Sequence, residues 1–298
     1  MMDQREDPIK FLANLKRFIL QKEEIAREDI ISLRKKGIFD KESLDEYSRL
    51  LKAKEWVKGE MEYRYFAMEG ARLVLAELLN IEAGMKVLDL GSGDGWFSIQ
   101  AGLKHPNAEF YGIELSEEFA EAKEYAKVFD LKNTNFYYFD AYELPFPNGS
   151  FDRLALFFSL GNIALTKQNL ERLFSECKRI LKENGLIGIA EPFVEDFPGD
   201  MGLILNEIYR YCKDEEERLL FLKDVEETLK NGFKIRTIKR IKLEESGVPL
   251  EKSEEYLERY YERRIPRELL EKVKSISKRA WVRDDPPSYH IIVAERIS

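Results

Sequence analysis

The chain is poor in the residues that build metal centres and disulfide frameworks. Among 298 residues there are two cysteines, Cys177 and Cys212, and two histidines, His105 and His290. Two cysteines are too few for a disulfide scaffold or a structural zinc site, and they point to a reducing, cytoplasmic setting. No uninterrupted apolar run is long enough to span a bilayer, so no membrane span is expected. Met1–Lys10 is polar and mixed in charge, without a secretory pattern. A basic excess is missing too. Lys and Arg number 48 against 56 Asp and Glu, a formal net charge of -8. That disfavours a chain built wholly for nucleic acid but leaves room for a local basic face. No internal repeat or low-complexity segment is found.

What is present is enough apolar material, 44% of residues, for a substantial core. The 35% charged content, rich in Glu and Lys, resembles the composition of proteins from hot environments. Up to about Leu79 the apolar spacing is helical, as in Phe11, Leu12, Leu15, Phe18 and Ile19. From Met85 onward strand and helix patterns alternate. Strands are expected at Lys86–Leu90, Glu109–Glu114, Thr134–Phe139, Leu154–Phe158 and Leu186–Ala190. Helices are expected from Trp96 to about Leu103, from Ser116 to about Phe129, and over Asn169–Lys182. The last carries an apolar stripe of Leu170, Leu173, Phe174, Cys177, Ile180 and Leu181, with Asn184-Gly185 as its stop. Two further strands are read at Phe233–Leu243 and His290–Ile297, separated by a charged helical stretch, Pro249–Arg283. The alternation implies an α/β fold with a mainly parallel sheet and helices on both faces.

The most informative segment is Val87-Leu88-Asp89-Leu90-Gly91-Ser92-Gly93-Asp94-Gly95-Trp96. An apolar strand ends in an acid, and glycines then leave room for a backbone bend pressed against a flat ligand. A dinucleotide fingerprint wants Gly or Ala at the sixth position, where Trp96 stands, so a diphosphate is disfavoured. Strand two ends in Glu114, roughly 20 residues past Gly91, the usual offset for an acid on a ribose diol. Strand three ends in Asp140-Ala141, and strand four runs into Phe157-Phe158-Ser159-Leu160-Gly161-Asn162. Ligands of open α/β sheets bind beyond the carboxyl ends of the strands, so these tips form one set.

The Asp-x-Gly-x-Gly-x-Gly pattern of Asp89–Gly95 resembles motif I of the class I S-adenosylmethionine-dependent methyltransferases. The run from Asp140 through Leu144-Pro145-Phe146 to Ser150-Phe151-Asp152 is similar to a second stretch of that family. The resemblance extends from about Gly84 to Pro192. It implies a Rossmann-like, mainly parallel seven-stranded sheet whose last strand is antiparallel. Residues 69–298 would form the methyltransferase domain, 1–68 a helical N-terminal extension or cap, and 249–283 a helical insertion or substrate lid. The implied cofactor is S-adenosyl-L-methionine, bound by Asp89, Gly91, Ser92, Gly93, Gly95, Glu114, Leu115, Asp140, Ala141 and Phe158. Asp89 would face the ammonium of the methionine moiety, Glu114 the ribose, and Asp140 the adenine amino group. Asp152 reads as structural, Trp96 as packing the first helix onto the sheet, and His105 as a surface residue.

No metal is implied, and the catalytic candidates are Ser159 and Glu191, the latter at the end of strand five before Pro192. His290 reads as structural. The segment after strand four departs from the Asn-Pro-Pro-aromatic motif of enzymes that methylate exocyclic base amines. A small-molecule acceptor is therefore favoured. An RNA or protein acceptor, a nicotinamide-dependent dehydrogenase and a non-catalytic cofactor-binding module remain as alternatives. Tyr63, Tyr65 and Phe66, and the arginines Arg259, Arg263, Arg264 and Arg267, are candidates for the acceptor side. The oligomeric state is open.

Overall fold

The computed structural model describes residues 69–116, 118–164, 166–197, 199–211, 219–242, 266–272, 275 and 288–297. The N-terminal extension, with Tyr63, Tyr65 and Phe66, lies outside the described residues, as do Cys212, Arg259, Arg263 and Arg264. Of the stretch read as an insertion, residues 266–272 and 275 are described, with 267–272 and 275 helical.

Two units are distinguished, the first holding the described residues to Pro145 with Ser150–Ala155, the second Phe146–Gly149 and Leu156 onward. In the first unit, α1 (Glu69–Leu78) is followed by β1 (Lys86–Leu90), α2 (Trp96–Lys104), β2 (Glu109–Glu114), α3 (Glu118–Val128) and β3 (Thr134–Tyr138). The strand β4 (Phe151–Phe157) begins in this unit and ends in the second. The second unit continues with α4 (Leu160–Ile163), α5 (Lys167–Ile180) and β5 (Leu181–Glu191). After these come α6 (Met201–Tyr211), α7 (Leu222–Leu229), β6 (Phe233–Lys242) and β7 (Ser288–Arg296). The strands form a seven-stranded sheet in the order β3-β2-β1-β4-β5-β7-β6. Pairings of β1 with β2, β1 with β4 and β2 with β3 are parallel, whereas β7 runs antiparallel to both β5 and β6. This is the mainly parallel sheet with an antiparallel final strand expected from the sequence. Among the described residues no helix is long and apolar enough to cross a membrane.

Burial explains the pattern. Val87, Leu88 and Leu90 of β1 are fully buried, as a strand covered on both faces requires. The stripe of α5 is buried as read, and the Cys177 thiol within it is pushed above its ordinary range by burial. That helix starts two residues earlier than its apolar pattern, because the Thr166 side chain accepts from the Asn169 N–H at 3.1 Å as an N-cap. It also ends earlier, at Ile180. The Leu181 N–H closes the last turn on Cys177 and its backbone then becomes extended, so Asn184, at φ 60°, turns the chain inside β5 rather than stopping a helix.

β4 starts at Phe151, three residues before the apolar run suggested. The polar residues that hid its start are structural. Asp152 Oδ2 accepts from the Lys86 N–H at 2.9 Å. Arg153, 9% exposed, donates to the carbonyls of Leu79 and Asn80 beyond the end of α1, the second at 3.2 Å. A guanidinium at a helix C-terminus satisfies orphan carbonyls and complements the dipole. Arg153→Met is therefore expected to lower unfolding stability by about 1–3 kcal/mol, read by urea denaturation; an unchanged midpoint would deny it that role.

Candidate functional site

The glycine bend is built by backbone geometry. Gly91, Gly93 and Gly95 have φ of 67°, 52° and 86°, in the left-handed region that glycine adopts freely. The Ser92 N–H donates to the Ile113 carbonyl at 2.9 Å, and the Gly95 N–H to the Ser92 carbonyl at 2.8 Å. The loop after β1 is thus tied to β2. Gly95 then opens α2 as its N-cap. Trp96, 5% exposed, stacks on Tyr125 of α3 at 5.4 Å and meets Phe129 edge-on at 6.2 Å. It packs helix against helix, while Gly95 makes a close approach to β3. A Cβ there would lie 2.6 Å from the Phe136 ring.

Glu114 closes the bend. Its Oε2 accepts from the Gly93 N–H at 2.8 Å, while Oε1 accepts from Leu115 and Ser116 at 2.8 and 3.0 Å. Two carboxylate oxygens carry about four acceptor positions, so capacity remains for a further donor. Beside it Leu115 leaves 55% of its surface exposed. The register pairs Glu114 with Tyr138, which puts Asp140 two residues beyond that position at the tip of the neighbouring strand. Asp140 is exposed and accepts the Tyr142 N–H at 2.9 Å, a turn that leads Ala141 into a buried position. Asp89, Gly91, Ser92, Gly93, Gly95, Glu114 and Leu115 are therefore brought together, with Asp140 and Ala141 one strand further.

Asp89 lies at the base of the bend, on β1. It is 1% exposed and accepts from the Ser98 hydroxyl of α2 at 2.8 Å. Burial pushes its carboxyl up to about 7, opposed by that hydrogen bond and reinforced by the charge of Glu114. Ser98 carried no signal in the sequence. Ser92 Oγ, within the same loop, is buried and lacks a hydrogen-bond partner among the described residues. His105 is half-buried rather than at the surface, capping α2 at the opposite end from the bend.

Phe158, Ser159 and Glu191 belong to the second unit. Phe158 holds a φ of 53°, strained for an aromatic residue, while its N–H donates to the Ala190 carbonyl at 2.8 Å. Its ring stacks on Phe157 and meets Tyr289 edge-on. Ser159 is buried at the N-cap of α4. Glu191, 6% exposed, accepts the Leu160 N–H at 3.0 Å. Burial pushes its carboxyl up to about 8, although the N–H groups of Leu160, Gly161 and Ser159 favour the ionised form.

A third group was not legible in the sequence. Asp196, fully buried, accepts from His290 Nδ1 at 2.8 Å, from the Ser288 hydroxyl at 2.7 Å and from the Phe193 N–H at 3.0 Å. Arg240 Nε lies 3.4 Å from its other face and donates to Ser288 at 2.7 Å. Burial alone would raise the Asp196 carboxyl, but these donors outweigh it and hold it below its ordinary value. Among the described residues no group of three or more His, Cys, Asp or Glu side chains is arranged to hold a metal ion.

Residues 87–185 match the family model described as a methyltransferase domain. Demethylmenaquinone methyltransferase of Listeria welshimeri is 29% identical over 137 residues, covering 45% of this chain and 56% of that protein. The enzyme of the same name from Thermotoga maritima is 34% identical over 106 residues, 36% of this chain and 43% of that one. The chain thus spans about half the length of the curated relatives it matches. A crystal structure of geranyl diphosphate C-methyltransferase from Streptomyces coelicolor, in complex with Mg2+, a substrate analogue and S-adenosyl-L-homocysteine, superposes with a TM-score of 0.55. It covers 79% of this chain and 81% of that one at 17% identity, a likeness of fold.

Proposed function

We propose that this chain, which carries a class I methyltransferase domain, transfers a methyl group from S-adenosyl-L-methionine to a small-molecule acceptor. The observation that carries the reading is the Glu114 carboxylate closing the glycine bend beside exposed Leu115, with Asp140 on the next strand tip. In this reading Glu114 accepts from the ribose hydroxyls, Leu115 and Ala141 flank the adenine, and Asp140 accepts from its amino group. The buried, unpartnered Ser92 hydroxyl and the backbone of Gly91, Gly93 and Gly95 meet the amino-acid tail, whose ammonium is balanced by Asp89. Residues 69–298 act as one catalytic domain, with 1–68 as cap and 249–283 as lid.

The cofactor supplies an activated methyl on a sulfonium. The chain's residues have to hold the acceptor in line with it and exclude water. Ser159 orients the acceptor and Glu191, largely protonated at neutral pH, acts as acid or base. The names of the relatives, acting on demethylmenaquinone and geranyl diphosphate, support a small acceptor. The acidic net charge weighs against RNA. The setting is the cytoplasm. Calorimetry is expected to show one-to-one binding of S-adenosylmethionine and S-adenosylhomocysteine with no response to NAD; NAD binding in their place would overturn the reading.

Asp89 makes that binding pH-dependent. The free protein holds a proton on Asp89 below about 7, and pairing with an ammonium requires its loss. Affinity for S-adenosylmethionine is expected to rise as pH increases through about 7, with proton release detected by calorimetry in buffers of different ionisation heat. Stability of the unliganded protein runs the other way. Its folded pKa lies above the unfolded 3.8, so the Asp89 contribution is present at low pH and lost as pH rises through about 7. A pH-independent affinity, unchanged in Asp89→Asn, would remove the ammonium role.

A further inference from the structure

Helix α1 of the first unit packs on α2, and its two ends stand at different heights of the sheet. At the lower end the Leu79 and Asn80 carbonyls accept from Arg153, which is paired with Val87 at the start of β1. Arg72 precedes Leu79 by about two turns, roughly 10 Å of helix. Asp89 and Gly91 lie roughly 7 and 13 Å along β1 from Val87. Two interactions set Arg72 at that height. Its Nη1 donates to Gln100 Oε1 at 3.4 Å, about one turn along α2 from the bend. Its charge also reaches Asp89, where it opposes the effect of burial. Arg72, Asp89, Ser98 and Gln100 are all buried. A guanidinium is seldom taken into a fold except to meet an anion or a set of acceptors.

An amino-acid tail brings two charges into this bend, an ammonium and a carboxylate on one carbon. Asp89 answers the first. The second needs donors, and three of the bend's own are committed: the Ser92 N–H to Ile113, the Gly93 N–H to Glu114 and the Gly95 N–H to Ser92. A carboxylate drawn out of water without donors is costly. We infer that Arg72 receives the carboxylate of the cofactor's amino-acid tail and so selects methyl donors that carry a complete amino acid. The inference rests on the methyl-transfer reading and adds to it a residue outside the strand tips. The planar fork of a guanidinium matches a carboxylate with two parallel N–H bonds, and the Ser92 hydroxyl can donate a third. Arg72 and Asp89 then sort the tail by charge, one group to each. A donor lacking the carboxylate would leave the guanidinium without that partner and bind less tightly.

The test compares two ligands by calorimetry on the whole chain: S-adenosylhomocysteine and its decarboxylated analogue, which keeps the adenosine, the sulfur and the ammonium. The native chain is expected to prefer S-adenosylhomocysteine by about 10–100-fold. In Arg72→Met that ligand is expected to lose about the same factor while the analogue changes by less than about threefold, so the preference disappears. Arg72→Lys keeps the charge without the fork and should stand between the two. Equal losses for both ligands in Arg72→Met would make Arg72 a packing residue and overturn the inference, as would a native chain that binds both alike. Where Arg72→Met does not fold, Arg72→Lys decides: a reduced ratio of the two affinities supports the role, and an unchanged ratio overturns it. These outcomes leave cofactor binding intact. Failure of the native chain to bind S-adenosylhomocysteine at all would instead count against the methyltransferase reading, and the role of Arg72 would fall with it.

Discussion

Glu114→Ala is expected to weaken S-adenosylmethionine binding by about 1–3 kcal/mol and to loosen the glycine bend in the same stroke. The native carboxylate accepts three backbone N–H groups, from Gly93, Leu115 and Ser116, so the ribose and the loop share one anchor. Truncation leaves those donors to water and removes the acceptor for the diol. Glu114→Gln does not restore the site, because one oxygen becomes an NH2 that opposes an N–H donor. Both variants should lose affinity in calorimetry, alanine the more. Full affinity in Glu114→Ala would dismiss the ribose role, and a stability loss without an affinity loss would leave it a purely structural clasp.

Gly95→Ala is expected to cost about 3 kcal/mol or more of stability, from two separate causes. The first is backbone strain, since φ 86° lies in the left-handed region that disfavours any Cβ. The second is steric. The new carbon would stand 2.6 Å from the Phe136 ring and 2.8 Å from Ala122 Cβ, between a strand and a helix that cannot both retreat. Gly93→Ala shares the strain but meets only the end of the Glu118 side chain, at 3.2 Å. It should be the milder of the two in urea denaturation. Equal losses would mean that strain alone, and not the approach of α2 to β3, makes Gly95 necessary.

Local chemistry made the first unit readable. The glycine bend, Glu114 at its offset and the Asp140 turn are all encoded within short stretches, and each lands at a strand tip. Strand alternation located six of the seven strands to within three residues, and β5 begins five residues before its reading. The start of β4 was hidden because Asp152 and Arg153 look like loop residues until their partners, Lys86 and the end of α1, are brought 66 and 74 positions back to meet them. The partner of Asp89 was hidden for a related reason: Ser98 lies on the far side of the bend, and burial is not written in the motif. The Asp196–His290 pair spans 94 positions and depends on an antiparallel register that no local pattern announces.

The claim beneath all of this is that one adenosine is held at the tips of β1, β2 and β3. A crystal structure grown with S-adenosylhomocysteine tests it most directly. The account predicts ribose hydroxyls on Glu114, adenine between Leu115 and Ala141 with its amino group toward Asp140, and the amino-acid tail along Gly91–Gly95. A ligand bound elsewhere, or those two carboxylates left untouched by it, would contradict the account.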